Sequence, residues 1–155
     1  MRYRKSVFIV VYAKTNVEVR YLLLKRRLHW RGWEFPKGGI EKNEIEKNAA
    51  KREVFEETGL KPLSLKRFNF SGSYRYKKNL SDRFGFDGQE FYLYSAQVKQ
   101  GKVKIDKREH IGFKWTGFFK AYKMLKFPNQ KKSLKIVNDW LKTTVQAWPV
   151  RRKIS

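Results

Sequence analysis

Apolar residues recur along this chain with two different periods. Ser6 to Ala13 and Val17 to Lys25 are β-branched or aliphatic runs, joined by a short polar link containing Asn16, which predicts two strands in a hairpin. His29 to Gly39 is broken up by Gly32, Pro36, Gly38 and Gly39 and reads as irregular chain. From Asn43 the period lengthens. Ile45, Ala49, Ala50 and Val54 recur at helical spacing, Glu44 and Glu46 suit a first turn, and Gly59 with Pro62 beyond it is a stop signal. A helix from Glu44 to Thr58 follows, with Asn43 as its N-cap. Leu63 to Ser71 and Glu90 to Val98 read as strands on either side of a long basic and aromatic loop, Gly72 to Gly88. Gly101 to Glu109 is charged, and Phe113 to Trp115 is a short strand. Thr116 to Leu125 and Asn129 to Thr144 are amphipathic helices, with Leu134, Val137, Trp140 and Leu141 on one core-facing side. Strands and helices mix without βαβ alternation or internal repeat, which predicts an α+β domain over residues 1–146 with helices packed on a sheet. A basic tail, residues 147–155 with Arg151, Arg152 and Lys153, is expected to fray.

Composition sharpens this picture in two places. Apolar residues at 41% and aromatics at 16% suffice for a core and argue against disorder. Lys and Arg number 37 against 14 Asp and Glu, a formal net charge of +23, so the surface should attract polyanions such as nucleotides, polyphosphates or RNA. Lysine-rich proteomes and hot-adapted proteins also give charged chains, but hyperthermophiles usually add Glu alongside Lys, and here Glu is scarce. The absence of Cys excludes disulfides, zinc thiolates and a thiol nucleophile, and is compatible with a reducing cytosol. Met1 to Lys5 and Val7 to Ala13 have the charge order of a secretory leader, but the apolar run is short and lacks a small-residue cleavage pattern. No stretch reaches transmembrane length. A cytoplasmic protein without a membrane partner is therefore expected.

The informative stretch is Gly38 to Leu60: Gly38, five residues, Glu44, seven residues, then Arg52-Glu53-Val54-Phe55-Glu56-Glu57-Thr58-Gly59-Leu60. Glu53, Glu56 and Glu57 stand at i, i+3 and i+4, so their carboxylates share a helix face. Like charges this close repel unless a cation neutralises them. A solvated helix face explains scattered charges, but not acid clustering in a strongly basic chain. An all-oxygen donor set suits Mg²⁺, with Mn²⁺ as a substitute. Zinc is disfavoured by the lack of Cys and by having only two His. Arg52, eight residues after Glu44, can reach back to pair with a carboxylate and orient it, with Glu44 in the same supporting network. Gly38 and Gly39 allow backbone to approach metal and phosphate closely, and Gly59 allows a left-handed helix end.

Leaving out Phe55 and Thr58, the nine remaining positions of that stretch resemble the Nudix box in full, a match expected by chance on the order of 10⁻⁷ or less. Trp33-Glu34-Phe35-Pro36-Lys37-Gly38-Gly39-Ile40 resembles the family's loop leading into the box. The resemblance implies an α/β/α sandwich around a mixed β-sheet and hydrolysis of a pyrophosphate linkage in a nucleoside-diphosphate-linked substrate. It implies Glu53, Glu56 and Glu57 as magnesium ligands, joined by the Lys37 carbonyl and a carboxylate from a distant loop. Glu109, within Lys107 to Trp115, is the candidate for that carboxylate; Asp106 and Glu90 are alternatives, and His110 is read as a loop or packing residue. The ions would position the polyphosphate and acidify a water, and a glutamate would take its proton, with Glu53 and Glu57 ranked ahead of Glu109. The catalytic set is then Glu53, Glu57, Glu109 and, as orienting group, Arg52.

The box leaves the substrate open. Lys37 and Arg26 place cations beside it, although Lys25 and Arg26 read equally well as ordinary surface charge. Tyr74-Arg75-Tyr76-Lys77-Lys78 interleaves aromatics with cations, a composition that can stack a base and hold phosphates; an edge strand with alternating faces is the competing reading. Tyr74, Tyr76 and Lys77 join Lys37 and Arg26 as candidate substrate contacts. Gly88 to Leu93, Glu109 to Trp115 and Lys126-Phe127-Pro128 resemble both the asymmetric diadenosine tetraphosphate hydrolases and the bacterial RNA 5′-pyrophosphohydrolases. A dinucleoside polyphosphate is the first expectation and an RNA 5′ end the second. A non-catalytic nucleotide- or RNA-binding module is disfavoured because every box glutamate stands.

Overall fold

A computed structural model describes residues 2–77 and 85–144; the expected tail, like Lys78, lies outside these residues. The chain runs β1 (Tyr3–Lys14), β2 (Val19–Arg26), β3 (Gly32–Glu34), β4 (Lys37–Gly39), α1 (Glu46–Thr58), β5 (Ser64–Arg75), β6 (Gly88–Gln97), β7 (His110–Thr116), α2 (Phe118–Met124) and α3 (Pro128–Thr144). Alternation along β1 divides the core in two. Phe8, Val10 and Tyr12 face one side, with Leu23, Leu93, Ala121 of α2 and Leu134, Val137 and Leu141 of α3. Val7, Ile9 and Val11 face the other, with Leu22, Leu24 and Ala49, Ala50 and Val54 of α1. The sheet is thus sandwiched between α1 and the α2–α3 pair, an α/β/α arrangement.

The sheet is mixed. β1 and β2 form the expected hairpin, but only Tyr12 to Lys14 pair with Val19 to Tyr21. The rest of β1 pairs in parallel with β6, Tyr3 to Tyr12 against Gly88 to Gln97, and antiparallel with β4. The chain around Gly32 to Gly39, expected to be irregular, contributes two short strands, because β2 and β1 each leave an edge that β3 and β4 complete. β7 joins β2 with a register irregularity between Lys25 and Arg26.

Two local expectations are corrected. The helix starts at Glu46 after an N-cap at Ile45, and Asn43 sits in a left-handed turn (φ 66°) before it. Glu44 therefore lies ahead of the helix, and Ile45 is 67% exposed rather than packed on the sheet. Gly72 to Arg75, expected in a loop, continue β5 and pair with Gly88 to Phe91 of β6. Ladder hydrogen bonds along β6 outweigh the turn signal of Gly72, so the edge-strand reading holds for that part. Gly59 ends α1 as expected, at φ 74°, with its N–H donating to the Phe55 carbonyl. Among the described residues, no helix is long and apolar enough to cross a membrane.

Candidate active site

Helix α1 buries an unusual face. At successive helical steps it turns Ala50, Glu53, Val54 and Glu57 inward, so two carboxylates stand beside apolar neighbours. Glu53 is held by Arg52, whose Nη1 donates to Oε1 at 2.7 Å and to Oε2 of Glu56 at 3.2 Å. The opposite edge of the guanidinium binds Glu44 (Nε to Oε2, 2.8 Å; Nη2 to Oε1, 2.9 Å), and Nη2 also donates to the Gly39 carbonyl at 2.9 Å. One arginine thus ties the turn before the helix, β4 and two box glutamates together. Gly38 completes this corner: a Cβ there would overlap the Glu53 carboxyl group, so only glycine lets the strand pass so close.

Glu57 is different. It is 2% exposed, and neither carboxylate oxygen has a hydrogen-bond partner. Burial pushes its pKa well above the usual carboxylate range, and Glu53, Glu34 and Glu109 push it further. Burial also raises Glu53, against the opposing pull of Arg52. A carboxylate with two bare buried oxygens is costly unless a cation completes it. The carboxylate oxygens of Glu57, Glu53 and Glu109, with the His110 nitrogen beside them, suit a divalent cation.

A second network, built from three strands, stands behind Glu57. Glu34 of β3 is fully buried and accepts from Arg26 Nη1 at 2.9 Å, with Lys37 Nζ at 3.5 Å from its other oxygen. His110 Nε2 lies 2.8 Å from Glu34 and 3.8 Å from Glu57 Oε1. Burial alone would raise the Glu34 pKa, but Lys37, His110 and Arg26 together hold it at about 2. Ligand atoms of Glu57, Glu109 and His110 all lie within 4.8 Å of one another. Glu34 had no assigned role in the sequence. The β2–β3 and β2–β7 registers create this cluster by setting Arg26 opposite both Gly32 and His110.

The remaining candidates divide. Glu109 reaches the cluster, with Oε1 3.8 Å from Arg26 Nη2. Its alternatives are engaged elsewhere: Asp106 caps its own turn through the Arg108 N–H, and Glu90 accepts from the Tyr92 hydroxyl. Arg26, expected among the surface contacts, is 3% exposed and bonded to Glu34 and the Leu28 carbonyl, so it organises the interior instead. Lys37 opens β4, and its Nζ lies 5.6 Å from the Tyr74 ring centroid. Tyr74 is exposed and meets Tyr76 edge-on, whereas the Tyr76 hydroxyl donates to Gln89. Lys77 is exposed just past β5.

Comparison with known proteins agrees with this fold. The chain is 31% identical over 129 residues to an RNA pyrophosphohydrolase of Baumannia cicadellinicola, covering 76% of this chain and 78% of that protein. Among solved structures, a Nudix hydrolase of Listeria monocytogenes superposes with a TM-score of 0.76 at 21% identity, covering 93% of this chain and 97% of that one. An Ap4A hydrolase of C. elegans superposes with a TM-score of 0.67 at 22% identity, covering 89% and 98%. The NUDIX domain matches residues 2–139, and the chain belongs to the Nudix hydrolase family.

Proposed function

We propose that this Nudix pyrophosphohydrolase acts on the 5′-polyphosphate end of RNA. One observation carries the choice: its kinship with RNA pyrophosphohydrolases extends over three quarters of the sequence, whereas the likeness to an Ap4A hydrolase rests on the fold. This reverses the order of substrates expected from the sequence. The surface is consistent with it, since the exposed Tyr74 ring lies beside Lys37, the residue that leads into Gly38, within a chain of net charge +23.

Glu53, Glu56 and Glu57, with the Lys37 carbonyl and Glu109, would hold the divalent ions, Mg²⁺ by the hardness of the donors. When bound, such ions neutralise the polyphosphate and acidify water. The chain's own residues do the rest. Arg52 fixes the Glu53 carboxylate, the Glu34–Arg26–His110 network walls in Glu57, and Lys37 supplies a phosphate contact. Water attacks phosphorus in line, a bridging P–O bond breaks with its electron pair on the departing phosphate, and a carboxylate oxygen of Glu53 or Glu57 takes the proton.

The test is a product assay with Mg²⁺ on 5′-triphosphorylated RNA and on diadenosine tetraphosphate, with Glu57→Gln as the blank. Phosphate or pyrophosphate from the RNA, with the dinucleotide turned over far more slowly, is expected. Efficient ATP and AMP formation from the dinucleotide with inert RNA would overturn the proposal and restore the order read from the sequence.

A further inference from the structure

On the sheet face opposite the carboxylates, α2 and α3 enclose a cleft of about 640 Å³. Phe118, Phe119 and Tyr122 wall one side, and Asn138 and Lys142 stand on the other. The Phe118 ring lies 5.4 Å from that of Phe119 and 5.9 Å from that of Tyr122, forming one aromatic surface. Phe119 is 82% exposed, a large ring held out in water at the mouth of a cleft. The Asn138 carbonyl accepts the Tyr21 hydroxyl at 2.7 Å, which leaves its amide N–H groups as the available donors.

The cleft lining itself balances Lys135 and Lys142 against Glu18 and Asp139, but the segment that carries α2 and α3 is strongly basic. Residues 114–144 contain eight lysines and one acid, Asp139, and that acid is paired with Lys135 at 3.0 Å. Glu18, which also lines the cleft, is paired with Arg20. Lys114 of β7 and Lys120 of α2 stand close enough that contact with Lys120, and then its charge, depresses the Lys114 pKa. An exposed aromatic surface on a lysine-rich segment matches the two repeating parts of an unpaired polynucleotide, its bases and its phosphates.

We propose that this cleft docks single-stranded RNA, with a base stacked on Phe119 and Tyr122 and the adjoining phosphates on Lys114, Lys120 and Lys142. Because it faces away from Glu57, it engages the body of an RNA and not a reacting end. It does not depend on the 5′ end being the substrate.

The test measures binding of the intact chain to a 5′-hydroxyl RNA of about twelve nucleotides, by fluorescence anisotropy without divalent metal. Such an RNA has no anhydride to hydrolyse, so the result is separate from the identity of the substrate. Phe119→Ala should weaken binding about tenfold. Lys114→Gln with Lys120→Gln should reduce the slope of log K against log salt by about 1.4. Both variants should keep the parent melting temperature and hydrolyse a mononucleotide-sized anhydride at the parent rate. Unchanged RNA affinity and salt slope in both would overturn the proposal. So would a change of solution mass on Phe119→Ala with RNA affinity intact, which would assign the ring to a second copy of the chain. Equal competition by polyglutamate of the same charge would replace RNA with an acidic protein segment and also overturn it.

Discussion

Arg52 grips Glu44 through two parallel hydrogen bonds, Nε to Oε2 at 2.8 Å and Nη2 to Oε1 at 2.9 Å, although seven residues and the start of a helix separate them. The bond to Glu44 raises the Arg52 pKa, and Glu53 adds to the effect. A planar fork fixes orientation in a way that an ammonium cannot. Arg52→Lys should therefore keep the charge and lose the alignment of Glu53. A fall in metal affinity of about 10- to 100-fold is expected, with a matching loss of kcat/KM at limiting Mg²⁺ that high Mg²⁺ partly restores. Isothermal titration with Mn²⁺ and a Mg²⁺ titration of the rate would check this; equal affinities would show that Arg52 braces the fold alone.

Glu57 makes metal binding and stability one problem. Its folded pKa lies above the ordinary 4.5, as does that of Glu53, with burial the first cause in each. A raised carboxylate pKa leaves stability intact below the unfolded value and erodes it as pH climbs from about 4.5 through the folded value. The metal-free protein should thus lose stability across that interval, and Mg²⁺ should restore more of it at higher pH. At a hundredfold excess over Kd the gain is about 2.7 kcal/mol, or about 5–10 °C in Tm for a chain of this size. Glu57→Gln should melt higher than the parent without metal and respond less to Mg²⁺. Thermal melts at pH 5 and pH 8, with and without Mg²⁺, test both, and a Mg²⁺ response that survives the substitution undiminished would remove Glu57 from the site.

What could be read in the sequence was what is local in sequence. Glu53, Glu56 and Glu57 share a helix at short spacing, so their common face, and the reach of Arg52, follow from helical geometry. Glu34 and His110 are 76 residues apart and meet only because β3 and β7 both pair with β2. No local period records such a register. The same holds for Tyr74, whose strand conformation depends on the ladder with β6, and for Arg26, whose burial depends on Glu34. Even inside the box, the spacing of Glu44 suits the first turn of a helix that in fact begins two residues later. The left-handed Asn43 delays the helix and leaves Glu44 free to face Arg52.

The Glu34 network supplies a third prediction. Glu34 faces Arg26, Lys37 and His110 from a fully buried position, and its pKa of about 2 keeps it ionised. Glu34→Gln preserves shape but strands the Arg26 guanidinium. Breaking one side of a buried pair costs about 3–5 kcal/mol. A lowered folded pKa contributes stability above about 4.5 and loses it as pH falls toward 2, so the deficit should persist from pH 8 to pH 5 and shrink in stronger acid. Denaturant titration across that range measures it. A deficit that vanished by pH 5 would mean that another group neutralises Arg26.

Gly38→Ala separates fold from chemistry most cleanly. The added Cβ has no room beside the Glu53 carboxyl group, so either β4 or that carboxylate must shift. β4 is fixed by its ladder with β1, Val7 opposite Gly38, and by Arg52 on the Gly39 carbonyl. The side chain of Glu53 is the softer element and should move by roughly an ångström, a displacement that costs on the order of 10²-fold in rate at a positioned site. Melting temperature should fall little, kcat should fall about a hundredfold, and extra Mg²⁺ should recover only part of it. If the variant unfolded instead, the strand and not the carboxylate would have yielded, and the tight contact at Gly38 would serve the sheet rather than the reaction.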